Sequence, residues 1–155
     1  MQSKVEVKKV TDPADLEIVF AIRRKVFVEE QDCPPELEWE FEDESTHFLG
    51  TFNDTPAGAA RWRQTEKGYK LERFAVLKEF RGFGVGKVLV RTVLDNLPPD
   101  VQYIYLNAQL TAIGLYEKFG FVKEGPQFEE AGIQHFKMVL KSSKLNFYMA
   151  NGRET

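Results

Sequence analysis

Polar and apolar residues alternate at the start of the chain. From Lys4 to Val10, Val5 and Val7 fall on one face, the two-residue repeat of a strand. The repeat then lengthens. Leu16, Val19, Phe20, Arg23 and Phe27 follow three and four apart, which predicts a helix whose inner face is apolar except for Arg23. Asp12-Pro13 stands where that helix begins. An aspartate caps the free amides of a first turn, and proline suits the first helical position. Pro34-Pro35 ends the element, and an irregular acidic segment runs on to about Ser45.

Three strands are predicted next: His47 to Phe52, Ala57 to Gln64 and Tyr69 to Leu77. Asn53-Asp54 and Lys67-Gly68 separate them as short polar turns, so they read as an antiparallel meander. Gly84 to Leu97 reads as a helix with Val85, Val88, Leu89 and Leu94 inward, closed by Pro98-Pro99. Val101 to Asn107 is a strand, Thr111 to Phe119 a short helix ended by Gly120, and Gln134 to Lys141 a last strand. The order β-α-β-β-β-α-β-α-β predicts an α+β domain: a single mixed, mostly antiparallel sheet flanked by helices. It occupies residues 1–141, and residues 142–155 form a tail without a clear period.

Composition narrows the class. A chain of 155 residues suits one domain with a core large enough to need no metal or disulfide staple. Cys33 is the only cysteine, so no internal disulfide can form, and a reducing, cytoplasmic setting is expected. Met1 to Val10 lacks the apolar run of a signal peptide, and no apolar stretch approaches the roughly 18 residues of a membrane span. A net charge of −3 argues against a general nucleic-acid binder. The charge is uneven, however. Ten acidic residues and no Lys or Arg lie between Val26 and Ala60, which leaves the remainder of the chain at +7. One region can attract a cation and the other can accommodate an anion.

The anion-binding candidate is Arg81-Gly82-Phe83-Gly84-Val85-Gly86, set between a strand and a helix. Glycines let the backbone turn tightly and approach a ligand, while free N–H groups and the helix dipole favour negative charge. The dinucleotide pattern G-x-G-x-x-G fails because Lys87 stands where its third glycine belongs. The nucleotide P-loop fails because Arg81 and Val88 occupy its first and last positions.

The spacing that fits is R/Q-x-x-G-x-G/A, and here the segment resembles the coenzyme A signature of the GNAT superfamily. Leu71-Glu72-Arg73-Phe74-Ala75-Val76 resembles the strand before that signature, and Leu115-Tyr116-Glu117-Lys118-Phe119-Gly120-Phe121 resembles the family's later (F/L)-Y-E-K-x-G-F motif. The two motifs stand in the right order, and the resemblance covers nearly the whole domain. Phe27-Val28-Glu29-Glu30-Gln31, Asp32 to Glu38 and Gly132-Ile133-Gln134-His135 are similar to the ElaA/YjcF-like branch. Cys33 before Pro34 departs from the valine expected there.

The resemblance implies an acetyl-CoA-dependent N-acetyltransferase. The donor would lie between the fourth and fifth strands, pairing with the backbone of Phe74 and Val76. N–H groups from Gly82, Phe83, Gly84, Val85, Gly86 and Lys87 would hold the pyrophosphate, with Arg81 adding charge and Asn107 a polar contact. Tyr116 matches the tyrosine that protonates the departing thiolate; the alternative is that it only packs on an apolar helical face. Glu72 shares a strand face with Phe74 and Val76, two and four residues on, and so is a candidate base looking into the same cleft; the alternative is a pair with Arg61 or Arg63 across the sheet. His47 and His135 carry imidazoles suited to proton transfer, though either can be structural. No metal is expected, since two distant histidines and one cysteine give no ligand spacing.

The acceptor is expected to be a small molecule or peptide with a primary amine. Glu29, Glu30, Glu36 and Glu38 would steer a cationic one, with Trp39 or Trp62 as a wall. A homodimer through the last strand or tail is implied by resemblance alone. A non-catalytic acetyl-CoA sensor on the same fold is the competing reading.

Overall fold

The computed structural model describes residues 4–35, 40–99 and 101–140. Strand β1 (Val5–Lys9) leads into helix α1 (Pro13–Arg23), whose N-cap Asp12 accepts a 2.8 Å hydrogen bond from the Asp15 amide. Pro13 occupies the first helical turn, as its fixed φ and missing N–H allow. Beyond Arg23 the helix widens into π-type turns over Arg24–Glu30. Val26 in these turns extends the buried face carried by Val19, Ile22 and Arg23 of α1.

Strands β2 (Ser45–Phe52), β3 (Thr55–Thr65) and β4 (Gly68–Val76) form the expected meander. Asn53 and Asp54 make its first turn with φ of +48° and +68°, left-handed values that suit these two residue types. Helix α2 (Val85–Asn96) follows, then β5 (Ile104–Gln109), helix α3 (Ile113–Glu117), β6 (Val122–Lys123), β7 (Phe128–Glu130) and β8 (Ile133–Leu140). The sheet order is β1-β2-β3-β4-β5-β8-β6, with β7 also on β8. Among the described residues β4–β5 is parallel and every other pairing antiparallel. The fold is therefore the expected mixed, mostly antiparallel sheet with helices.

Several boundaries move. Strand β5 starts at Ile104, not Val101, because Val101 turns back to bond the Pro98 carbonyl. It also continues to Gln109, so Asn107 lies inside the strand and not at its end. The helix expected from Thr111 to Phe119 is regular only over Ile113–Glu117, preceded by a tight 3-10 turn. Strands β6 and β7 were not expected; at two and three residues they carry too little pattern to read. Residues 142–155, assigned above to a tail, lie outside the described residues.

The sheet carries a core on each face. On one side α2 buries Val85, Leu89, Val90, Val93 and Leu94 against Phe48, Leu71 and Ile104. Val88, expected inward, is only half-buried. Gly58 permits this approach, since a Cβ there would lie 2.9 Å from the Ala75 carbonyl oxygen and 3.0 Å from Leu89. On the other side α1 packs Val19, Ile22 and Val26 over Leu49, Ala59 and Ala75. Each large aliphatic buried in this way contributes about 1.5–3 kcal/mol.

Strand β4 contains the irregularity that matters most. Ala59 pairs with Ala75 but Arg61 pairs with Glu72, so β4 holds one extra residue. Arg73 absorbs it with φ of +60°, a left-handed conformation uncommon for a residue with a Cβ. The bulge reverses the alternation of faces. Leu71 packs on the α2 side, whereas Ala75, four residues on, packs on the α1 side.

Candidate active site

Strands β4 and β5 pair only at Tyr69 with Ile104 and Lys70 with Tyr105. Past that point they diverge, leaving a cavity of about 150 Å³ between them. Phe74 and Leu106 line its strand walls, Tyr116 enters from α3, and Phe27, Gln31 and Cys33 close it from the arm after α1. The backbone of β4 is directed into the same opening. The Leu77 amide donates to the Ala57 carbonyl on β3, so strand alternation turns the N–H groups of Val76 and Phe74 the other way. An extended ligand chain can pair there as an added strand would.

At the end of β4 the chain makes a 3-10 turn over Lys78–Phe80 and passes through Arg81 to Gly84 into α2. Gly82 and Gly84 have φ of +87° and +88°, and a Cβ built on either would meet nothing within 4 Å. Glycine is required there for conformation, and open space lies in front of the turn. Gly84 is the N-cap of α2 and supplies no side chain, so the first amides of the helix, at Val85, Gly86 and Lys87, have no capping partner. Val85 itself is buried under the helix, and Lys87 is exposed. Phe83 is 54% exposed, its ring 5.0 Å from that of Phe52. Uncapped amides at a helix start, with open space before them, suit an anion such as a pyrophosphate.

Arg81 is already engaged. Its guanidinium makes two 2.8 Å hydrogen bonds to Glu30, and its Nε donates to the Val76 carbonyl at 2.9 Å. Each partner's charge holds the other ionised, Glu30 shifted down and Arg81 up through their shared hydrogen bond.

Tyr116 lines the split, 6% exposed, with its ring edge-on to Phe74 at 5.8 Å. Burial pushes its phenol up. The group therefore stays protonated through the neutral range, as a proton donor must. Asn107 also faces the cleft, and its amide donates to Glu130 at 3.1 Å.

Glu72 does not share a face with Phe74 and Val76, because the bulge at Arg73 intervenes. Its carboxylate turns to the α1 side, where Arg61 Nε donates to it at 3.0 Å and Arg63 Nε at 2.7 Å, with Lys70 Nζ 3.3 Å from its other oxygen. Burial alone would raise its pKa. The Arg61, Lys70 and Arg73 charges and the Arg63 hydrogen bond outweigh burial and hold it at about 2. A carboxylate so satisfied is a poor proton acceptor at neutral pH.

The acidic segment is also partly neutralised. Glu42 binds Arg23 through two bonds of 2.6 and 3.2 Å and Arg61 at 3.1 Å, so it offsets two arginines with no exposed surface. Glu30 is paired with Arg81, Glu29 is exposed, and Glu36, Glu38 and Trp39 lie outside the described residues. Trp62 is on the α2 face, where its indole donates to Asn96, so it is no wall for an acceptor. His47 is under α1, with Nε2 bonded to the Glu42 carbonyl and its pKa lowered by burial. It does not line the cleft, but His135 does.

The sequence reading missed Gln31, Gln109 and Glu130. Gln31 and Gln109 exchange two amide hydrogen bonds, of 3.2 and 3.0 Å, across the cleft. Gln109 follows Asn107 by two on β5, an alternation that would have identified it had the strand been extended. Among the described residues no group of three or more His, Cys, Asp or Glu is placed to hold a metal, and no helix is long and apolar enough to cross a membrane.

An open parallel split beside a glycine-rich helix start defines an acyl-CoA N-acyltransferase fold. The model of the acetyltransferase (GNAT) domain matches residues 9–142. The chain belongs to that family. It is 39% identical over 128 residues to the uncharacterized N-acetyltransferase YjcF of Bacillus subtilis, covering 80% of this chain and 91% of that protein. It is 31% identical over 133 residues to protein ElaA of Escherichia coli, covering 81% and 86%. The crystal structure of ElaA superposes with a TM-score of 0.76 over 89% of this chain and all of that one. A Bacillus subtilis acetyltransferase solved in complex with CoA shares the fold, with a TM-score of 0.63 at 17% identity over 89% and 99% of the two chains.

Proposed function

We propose that this protein transfers an acetyl group from acetyl-CoA to a primary amine of a small molecule or peptide. One observation carries the reading: the opening past the last β4–β5 pair is lined by the buried Tyr116, and Val76 at the end of β4 lies beside Gly86 in the uncapped first turn of α2. The opening suits a thioester and the helix turn a pyrophosphate, the two ends of one ligand.

Acetyl-CoA, as co-substrate, supplies an activated acetyl carbonyl and a sulfur leaving group. The N–H groups from Phe83 to Lys87 hold the pyrophosphate, with Gly82 and Gly84 shaping the turn. The backbone of Phe74 and Val76 orients the arm, with one N–H polarising the acetyl carbonyl; a single such donor is worth about 3 kcal/mol. Asn107 adds a polar contact. The neutral amine attacks the carbonyl carbon, a C–N bond forms through a tetrahedral intermediate, and the C–S bond breaks. Sulfur leaves as a thiolate and takes the Tyr116 proton. The desolvation that raises the phenol also raises the thiol, so the two stay close enough for transfer.

A second reading, an acetyl-CoA-binding module without turnover, draws support from Glu72, which is locked in ion pairs and withdrawn as a base. Two measurements test both. Thermal unfolding with acetyl-CoA at 100 times its Kd should rise by about 2.7 kcal/mol of stability, and ATP or NAD should give no such rise. Release of free CoA thiol with an amine present establishes transfer. A rise without thiol release across an amine screen establishes the module, and no rise at millimolar ligand overturns both.

A further inference from the structure

Resting on the transfer reading, we infer that His135 is the base that takes the proton from the attacking amine. Its ring lines the cleft that Tyr116 enters, with only 7% of its surface exposed. Nδ1 lies 2.7 Å from the Ile133 carbonyl oxygen. A carbonyl only accepts, so Nδ1 carries a proton and Nε2 is the nitrogen left to accept one. Nε2 makes no hydrogen bond among the described residues. Phe128 on β7 stacks on the ring at 5.7 Å and 22°, which holds its plane, and Gln109 on β5 faces it in register. An imidazole whose Nδ1 is fixed as a donor and whose plane is held, seated in a cleft, is the arrangement a general base needs.

The other titratable groups on the cleft are committed elsewhere. From β4, Glu72 is held at about 2 by its cations, Lys70 is paired with it, and Arg73 carries a guanidinium. From α3, Tyr116 is held protonated by burial. From β7, Glu130 accepts the Asn107 amide. From the arm after α1, Cys33 Sγ lies 3.6 Å from the Pro34 carbonyl oxygen. The proton balance closes without further groups. The amine proton passes to Nε2, the thiolate takes the Tyr116 proton, and exchange with water restores both.

The test is His135→Asn beside the wild type. Acetyl-CoA titration and thermal unfolding establish that each is folded and binds donor; kcat and kcat/KM against pH then follow. The expected result is a kcat about 10²–10⁴-fold lower, an unchanged Kd for acetyl-CoA, loss of the wild-type acid limb and partial rescue by added imidazole. Retention of that limb by a turning-over variant overturns the inference and leaves the transfer reading intact. Wild type that binds acetyl-CoA but releases no thiol with any amine overturns the transfer reading, and the inference with it. Independently of activity, ¹⁵N NMR of the wild type should show His135 as the Nδ1–H tautomer, and an Nε2–H signal overturns the inference even if the variant fails to fold.

Discussion

Arg81, in the turn before α2, and Glu30, in the arm after α1, are joined by two hydrogen bonds of 2.8 Å. One guanidinium thus ties the glycine-rich turn to the arm that follows α1. A pyrophosphate bound as proposed would compete with Glu30 for the same charge.

Glu30→Gln should therefore tighten acetyl-CoA binding. Both side chains are about 40% exposed, so the pair is worth no more than roughly 1 kcal/mol and the gain is about two- to five-fold. Calorimetric titration at low salt measures it, and at about 1 M salt the difference should vanish because the screening length falls to about 3 Å. Unchanged affinity at low salt would show that Arg81 does not reach the phosphates.

Gly84→Asp tests the turn itself. A Cβ there meets nothing within 4 Å, so the cost to the fold is the backbone strain at φ of +88°, about 1–2 kcal/mol. The new carboxylate caps the amides that would hold the pyrophosphate and repels its charge. Donor affinity should drop at least tenfold, read as loss of the thermal rise with acetyl-CoA.

Tyr116→Phe keeps the ring that packs on Phe74 and Phe121 and removes only the hydroxyl. Stability and donor affinity should change little. The kcat should fall about 10²-fold or more, because the thiolate must then leave without its proton. A fall in stability with kcat unchanged would assign the residue to packing.

Glu72 makes the stability of the fold acid-sensitive. Its folded pKa of about 2 lies below its ordinary 4.5. The stabilisation is therefore complete above about pH 4.5 and is lost as the pH falls toward 2. Urea unfolding at stepped pH should show this slope, and Glu72→Gln should remove it. The same substitution should cost up to about 3 kcal/mol at neutral pH, because it removes one of the two carboxylates that offset the buried Arg61 and leaves Glu42 as the other. Its effect on kcat, once stability is allowed for, should be small.

Features built from neighbouring residues were legible in the sequence. The Asp12-Pro13 helix start, the Asn53-Asp54 turn, the glycines before α2 and the tyrosine of α3 each depend on a few adjacent positions. Local sterics and hydrogen bonding decide such features. The meander of β2, β3 and β4 was legible too, because short turns leave such strands little choice of partner.

Tertiary structure decided whatever depends on which strand lies opposite which residue. One inserted position at Arg73 turned Glu72 away from Phe74, and no periodicity within β4 marks it, since a bulge is defined by its partner strand. Glu42 reads as one more surface acid until α1 and β3 bring Arg23 and Arg61, each 19 residues away, onto its carboxylate. Gln31 and Gln109, 78 residues apart, meet only because β5 leaves β4. Burying a charge is costly without a partner. The sequence by itself therefore determined the family, the turn and the tyrosine, while the packed sheet decided which charges are spent on stability and which side chains are left facing the cleft.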